Sequence, residues 1–167
     1  VYVPPVPPIP GESNSLSFDG VNDYIEIGES IFNLNYGQGD DCNYTISSRI
    51  KINDLEKEGI ILGNGDNSTG LYIKITSSGK ICLHIGEENF YSFDEIIQED
   101  TWHHIIVSTD CYNTNYLWVD NVQYEIDNGN MDMNYTNRNL YFGHSNGIDY
   151  EFSTDNRFAG LISEIII

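Results

Sequence analysis

The chain has 167 residues, of which 26 are acidic and 7 are basic, so its formal net charge is −19. The length suits one domain with a sizeable core, and the 13% of aromatic residues argues against a disordered acidic tail. The charge argues against direct nucleic-acid binding, and no apolar run reaches the roughly 20 residues that span a bilayer.

The first eleven residues differ in composition from the rest. Residues 1–11 read VYVPPVPPIPG and hold all five prolines of the chain. Such a run is extended and cannot enter the middle of a sheet, because proline lacks the N–H that a ladder needs. We therefore divide the chain into a proline-rich extended linker or arm at 1–11 and a domain at 12–167. The alternative is that 1–11 is simply a disordered end.

The rest of the chain predicts short strands separated by turns. It alternates apolar and polar residues in about a dozen runs at roughly 8–12-residue spacing, which is typical of an antiparallel sandwich or barrel. Ser77-Ser78-Gly79 predicts a three-residue hairpin loop, and Asp120-Asn121 predicts a two-residue turn. The predicted strands are 16–18, 24–27, 44–52, 59–62, 71–76, 80–85, 90–93, 102–109, 116–119, 122–126, 140–143 and 158–167.

Seven pieces of this pattern resemble a known family. In chain order they are SLSFDGVNDYIEIG (15–28), YTISSRIKIND (44–54), GLYIKITSSGKICLHIG (70–86), TWHHIIVSTD (101–110), LWVDN (117–121), NLYFG (139–143) and FAGLISEIII (158–167). Together they resemble the laminin-G-like jelly roll of the concanavalin A-like lectin/glucanase superfamily, to which the pentraxins are related. The resemblance implies an all-β fold, a two-sheet antiparallel jelly-roll sandwich. Asn121 stands where the family usually has glycine, and Ser163 where it usually has aspartate.

The resemblance to pentraxins also implies a disulfide. There are three cysteines, Cys42, Cys82 and Cys111. The pentraxin bridge joins two antiparallel neighbouring strands at positions that align with Ser47 and Ile106. Opposed residues in an antiparallel pair have a constant index sum, and 153 is the sum for this aligned pair and for Cys42 with Cys111. We expect that bridge, a buried Cys82 thiol and an extracellular setting; the alternative is three reduced cysteines in a cytosolic protein.

No catalytic motif is complete. Glucanases of the superfamily carry three carboxylates on one strand, and the nearest match, EIDNGN at 125–130, lacks the third. His103 and His104 are adjacent, but no Ser or Cys near them in sequence has a nucleophile context. The resemblance gives this W-H-H piece a structural role. We therefore expect no enzymatic activity.

One cofactor hypothesis is calcium, which takes about six to eight oxygen ligands from carboxylates, amides and backbone carbonyls. In pentraxins, an Asp-Asn pair before one strand and the loop after a later strand supply these ligands. Asp66 and Asn67 stand in the place of that pair. The pentraxin run in the later loop is not reproduced residue by residue, because Ser145 and Asn146 stand where acids or Gln would be, and Asp149 and Glu151 close by could substitute. A second candidate pairs the loop 19–23 with Glu164. The alternative is that these acidic loops are simply solvated.

Glycan binding usually combines an aromatic ring with side chains that bond to hydroxyls, and Tyr150, Asp149 and Asn67 offer that combination.

Two functions stay open. The first is a non-catalytic lectin-like recognition or adhesion module that binds a glycan or a surface glycoprotein. The second is a structural module, a virion decoration or fibre domain or an extracellular filament subunit, which contacts neighbouring subunits without sugar. Both are extracellular or on a cell or virion surface, without membrane insertion.

Overall fold

The computed structural model describes residues 14–28, 44–64, 71–85, 89–109, 114–127, 139–144 and 157–167, which contain twelve strands and no α-helix. Within these ranges, no helix is long and apolar enough to cross a membrane. The strands are β1 (Leu16–Asp19), β2 (Ile25–Ile27), β3 (Tyr44–Ile52), β4 (Gly59–Gly63), β5 (Leu71–Ile75), β6 (Lys80–Ile85), β7 (Asn89–Ile96), β8 (Trp102–Thr109), β9 (Thr114–Val119), β10 (Val122–Asp127), β11 (Leu140–Phe142) and β12 (Ala159–Ile166).

These strands form two six-stranded sheets. Sheet A has the order β1-β12-β3-β8-β9-β10, and sheet B has the order β2-β11-β4-β5-β6-β7. Each strand pairs antiparallel with its neighbours. The all-β jelly-roll prediction is confirmed, and β3, β6 and β8 have the predicted bounds.

The core lies between the sheets and takes every second residue of the central strands. Ile50 of β3 and Ile73 of β5 are buried there, as are Leu83 of β6 and Leu117 of β9. Because successive side chains of a strand point to opposite faces, the residues between them lie on the outer faces of the sandwich. Each fully buried Ile, Leu or Phe contributes about 1.5–3 kcal/mol.

Two hairpin turns have the predicted geometry. Asp120 and Asn121 both have positive φ, 49° and 73°, as a two-residue turn between twisted strands requires. Asn121 therefore serves where the family usually has glycine, because Asn tolerates this conformation better than most residues. Gly79, with φ 76°, ends the predicted loop 77–79, and the Thr76 N–H donates to the Lys80 carbonyl across it at 2.9 Å.

The ladder between β3 and β8 has the predicted register. Ser47 lies opposite Ile106, and the ladder runs on to Tyr44 opposite Thr109, so the index sum is 153 throughout. Cys82 is buried on β6, as expected. Cys42 and Cys111 continue the same sum two positions beyond the last described pair, and both lie outside the described residues.

A disulfide between Cys42 and Cys111 remains a prediction, which mass spectrometry of unreduced peptides tests. We expect one linked peptide pair, and reduction should lower the free energy of unfolding by about 3–5 kcal/mol, because the bridge closes a long loop in the unfolded chain. Recovery of Cys42 as an unmodified thiol from the unreduced protein would refute the pairing.

Gly160 of β12 lies so close to the neighbouring strand that a side chain does not fit there. A Cβ at this position would lie 2.2 Å from the Lys51 carbonyl oxygen, which belongs to the neighbouring strand backbone. We expect Gly160→Ala to lower the free energy of unfolding by about 3 kcal/mol in urea denaturation, because the two strands must separate. Gly28→Ala is the matched control, since nothing lies within 4 Å of its Cβ position. Equal stability of the two variants would contradict this explanation.

Candidate functional site

The outer face of sheet B carries a row of aromatic side chains. The ladder register aligns Glu26, Tyr141, Gly63, Tyr72 and His84 across five neighbouring strands. Their neighbours along each strand point into the core, so these side chains occupy the opposite face. Glycine contributes no side chain at the middle of the row, between the two tyrosines.

The rings of this row make direct contacts. Tyr72 and His84 are stacked, with ring centroids 4.4 Å apart and an interplanar angle of 10°. At the other end, the rings of Tyr24, Tyr141 and His144 lie within 6.0 Å of one another. The five aromatic residues Tyr24, Tyr72, His84, Tyr141 and His144 are called the aromatic row below. Tyr24 is 51% exposed, whereas Tyr141 is only 7% exposed. The row is therefore buried along most of its length and open to solvent at Tyr24.

Polar groups lie beside Tyr141 and His144. The Asn139 side-chain amide donates a hydrogen bond to Glu26. Within the described part of the chain, Asn139 Oδ1 and Arg157 Nη1 are buried without a hydrogen-bond partner. Burial and the nearby Arg157 charge, in that order, lower the pKa of His144 below its usual value of 6.5. His144 is therefore neutral at pH 7 and can both donate and accept a hydrogen bond.

The predicted ligand residues lie outside the described residues. Residues 145–156 contain Asn146, Asp149, Tyr150 and Glu151, and their two ends are joined because Phe158 N–H donates to the Gly143 carbonyl at 3.2 Å. The described residues on either side of this segment, His144 and Arg157, therefore lie close together.

Asp66 and Asn67 also lie outside the described residues. They follow the buried Asn64, which comes directly after β4. Tyr141 lies opposite Gly63 in the antiparallel ladder of β11 and β4, so residues 65–70 and 145–156 start from opposite ends of this pair.

The comparisons with known proteins decide the family. The model of a laminin G family, in the concanavalin A-like lectin/glucanases superfamily, matches residues 19–167. The chain belongs to this superfamily. A comparison with curated protein sequences finds no match.

Several solved structures share the fold of this laminin-G-like domain. The fourth and fifth LG domains of the mouse laminin alpha1 chain are 15% identical with a TM-score of 0.64, and the match covers 96% of this chain and 44% of theirs. A heptameric pentraxin from Limulus polyphemus is 14% identical with a TM-score of 0.52, covering 72% and 61%. The chain thus spans less than two thirds of both. The CBM40 module of a Ruminococcus gnavus sialidase, bound to α2,3-sialyllactose, is 10% identical with a TM-score of 0.66, covering 91% and 88%.

The two adjacent histidines of this laminin-G-like domain make different contacts. His103 is buried, with its Nδ1 2.6 Å from Asp120 Oδ2, and its Nε2 accepts a hydrogen bond from the Gln98 N–H. Because Nε2 accepts, Nδ1 carries the proton. His103 thereby ties β8 to the turn before β10, which is a structural role.

Sequence reasoning missed a Ser–His pair on the outer face of sheet A. His104 Nε2 lies 2.8 Å from Ser47 Oγ, across the β3–β8 ladder. The index sum of 153 could have indicated this pair, because it places β3 and β8 side by side. Asp120 accepts a hydrogen bond from the His104 backbone N–H rather than from its ring. The described contacts thus supply no carboxylate to orient the imidazole, as a hydrolytic triad requires.

The structure does not bring together the residues of the second candidate calcium site. Asp19 lies opposite Ala159 at one end of the β1–β12 ladder, whereas Glu164 lies beyond the other end and pairs with Arg49 at 2.8 Å. Asp19 Oδ1 instead accepts the backbone N–H groups of its own turn, which lower its pKa. Among the described residues there is no group of three His, Cys, Asp or Glu that could hold a metal ion.

Two partly buried histidines, His104 and His144, predict a loss of stability in mild acid. Burial lowers the pKa of both His104 and His144, so between the folded pKa and 6.5 the unfolded chain binds more protons. Their contribution to stability is complete above about pH 6.5 and is lost as the pH falls. We expect the melting temperature of His144→Gln to fall less between about pH 7.5 and pH 5.5 than that of the parent, as measured by circular dichroism. An equal fall in both proteins would contradict this role of His144.

Proposed function

We propose that this domain is a non-catalytic, extracellular lectin-like module that binds glycan at the exposed end of the aromatic row. The observation that carries the proposal is the cluster of Tyr24, Tyr141 and His144, whose rings lie within 6.0 Å of one another beside Glu26 and Arg157. A half-exposed tyrosine can stack on the C–H face of a sugar. A neutral histidine and a carboxylate supply both donors and acceptors for its hydroxyls.

The comparisons support a glycan as the kind of ligand. The CBM40 module that shares this fold is bound to α2,3-sialyllactose. Its sugar is anionic, whereas this chain has a net charge of −19. Because the field of such a chain repels anions, we propose that it prefers neutral glycans. Tyr150, Asp149 and Asn67 remain proposed sugar contacts, and two of them fall in the segment that starts and ends beside the cluster.

Calcium is a proposed cofactor of the same site. The proposed ligands are Asp66, Asn67, Asn146, Asp149 and Glu151, whose three carboxylates and two amides are the oxygen donors that calcium prefers. Bound calcium would offset part of the negative charge and could accept sugar hydroxyls as ligands. The proposed Cys42–Cys111 disulfide agrees with an extracellular setting.

A second candidate function is the structural module, which contacts neighbouring subunits without sugar. The observation that favours it is exposed apolar surface at the edge of sheet A. Leu16 of the edge strand β1 is 57% exposed, and Ile166 of the adjacent β12 is 61% exposed. Apolar side chains at a sheet edge are typical of surfaces that pair with another chain.

A glycan array followed by calorimetry tests the first function. We expect binding to neutral oligosaccharides, and Tyr24→Ala should weaken it by at least about tenfold because the stacking ring is lost. Tyr116→Ala is the matched control, since this tyrosine lies on the outer face of sheet A, and its affinity should be unchanged.

The same array separates the alternatives. We expect a chelator to abolish binding, and Asp149→Asn to weaken it, while Asp94→Asn on β7 leaves it unchanged because that carboxylate is 97% exposed and pairs only with Lys80 among the described contacts. Binding that survives the chelator would contradict the calcium proposal alone. Absence of binding to any glycan, with assembly of the protein into fibres or lattices, would favour the structural module.

A further inference from the structure

We propose that the outer face of sheet A is the docking surface for the proline-rich segment 1–11 of the same chain. The proposal is independent of glycan binding, because it concerns the opposite sheet. It commits to an apolar, extended polypeptide of this chain as the occupant. Its basis is the aromatic character of the face, the point at which the chain enters it, and the chemistry of the segment.

The outer face of sheet A carries both tryptophans of the chain. Trp102 lies opposite Lys51, whose Nζ is 5.9 Å from the centre of the indole ring. Trp118 lies opposite Ile106 in the next ladder, and its ring is 5.4 Å from that of Tyr116. All these side chains are partly exposed. Grooves lined by aromatic rings are the surfaces that bind polyproline segments.

The chain enters the domain on this face. Ser163 lies opposite Arg49, and Ile162 next to it is buried in the core, so the serine side chain points to the outer face. Its hydroxyl donates a hydrogen bond to the Asn14 carbonyl at 3.3 Å. Asn14 is the first described residue, so the proline-rich segment starts its path at the edge of the proposed docking surface.

The segment has the chemistry and reach to cover this surface. Residues 1–10 are all apolar and carry no charged side chain, so the net charge of the domain does not repel them. Ten residues of polyproline helix extend about 31 Å, whereas β12 and β9 are three strand spacings, about 14 Å, apart. A polyproline segment is already extended and loses little entropy on docking. Attachment to the same chain gives it a high local concentration, which favours it over a second copy.

Tryptophan fluorescence of the full chain tests this proposal, because both reporters lie on the face concerned. We compare the parent with a variant in which Pro4, Pro5, Pro7 and Pro8 are replaced by glycine. We expect the variant to show red-shifted emission and stronger acrylamide quenching, since the rings lose their cover. Val21→Ser, an exposed position in the turn after β1, is the control and should match the parent.

Two further measurements test whether the variant folds and whether the proline-rich segment is what covers the tryptophan rings. The four replacements lie outside the described strands, so an unchanged far-ultraviolet circular dichroism spectrum should confirm that the variant folds. Adding the free peptide VYVPPVPPIPG to the variant should restore the blue-shifted emission. Identical emission and quenching in parent and variant would overturn the proposal. So would a difference that disappears on dilution of a dimeric parent, since the segment would then dock on a second copy.

Discussion

The apolar core between the two sheets constrains every other feature of this domain. Side chains along a strand alternate between the two faces of the sheet, so the neighbours of a core residue point to the outer face. On β5, burial of Ile73 and Ile75 places Tyr72 and Lys74 on the far side of sheet B. The candidate glycan site is thus a consequence of core packing, since the aromatic row is what remains when the core residues are in place.

The outer face of sheet B is itself largely buried. Tyr72 and His84 are less than 10% exposed, and Lys74 is paired with Glu58 at 2.8 Å. Stacked rings and a satisfied ion pair stabilise the middle of this face, which leaves Tyr24 as the exposed ring. A binding site at the margin of a rigid aromatic surface needs little reordering when a ligand arrives, which preserves affinity.

The sequence predicted the strands well, because alternation and turn residues are local signals. The positive φ of Asn121 was predicted from its turn. The register of Ser47 with Ile106 was instead implied by the resemblance to pentraxins, and the structure confirms it. The aromatic row was not, since it depends on β11 lying between β2 and β4, which are distant from it in the chain. Conversely, candidate ligands such as Asp149 lie outside the described residues, in stretches where no alternation predicts a strand, so their roles remain proposals.

The most direct test of the central claim is a two-dimensional NMR titration of the domain with the neutral oligosaccharide that gives the strongest array signal. The proposed site predicts ring-proton shift changes for Tyr24, Tyr141 and His144, and unchanged indole signals for Trp102 and Trp118. Shift changes confined to the outer face of sheet A, or none at saturating sugar, would contradict glycan binding at the aromatic row.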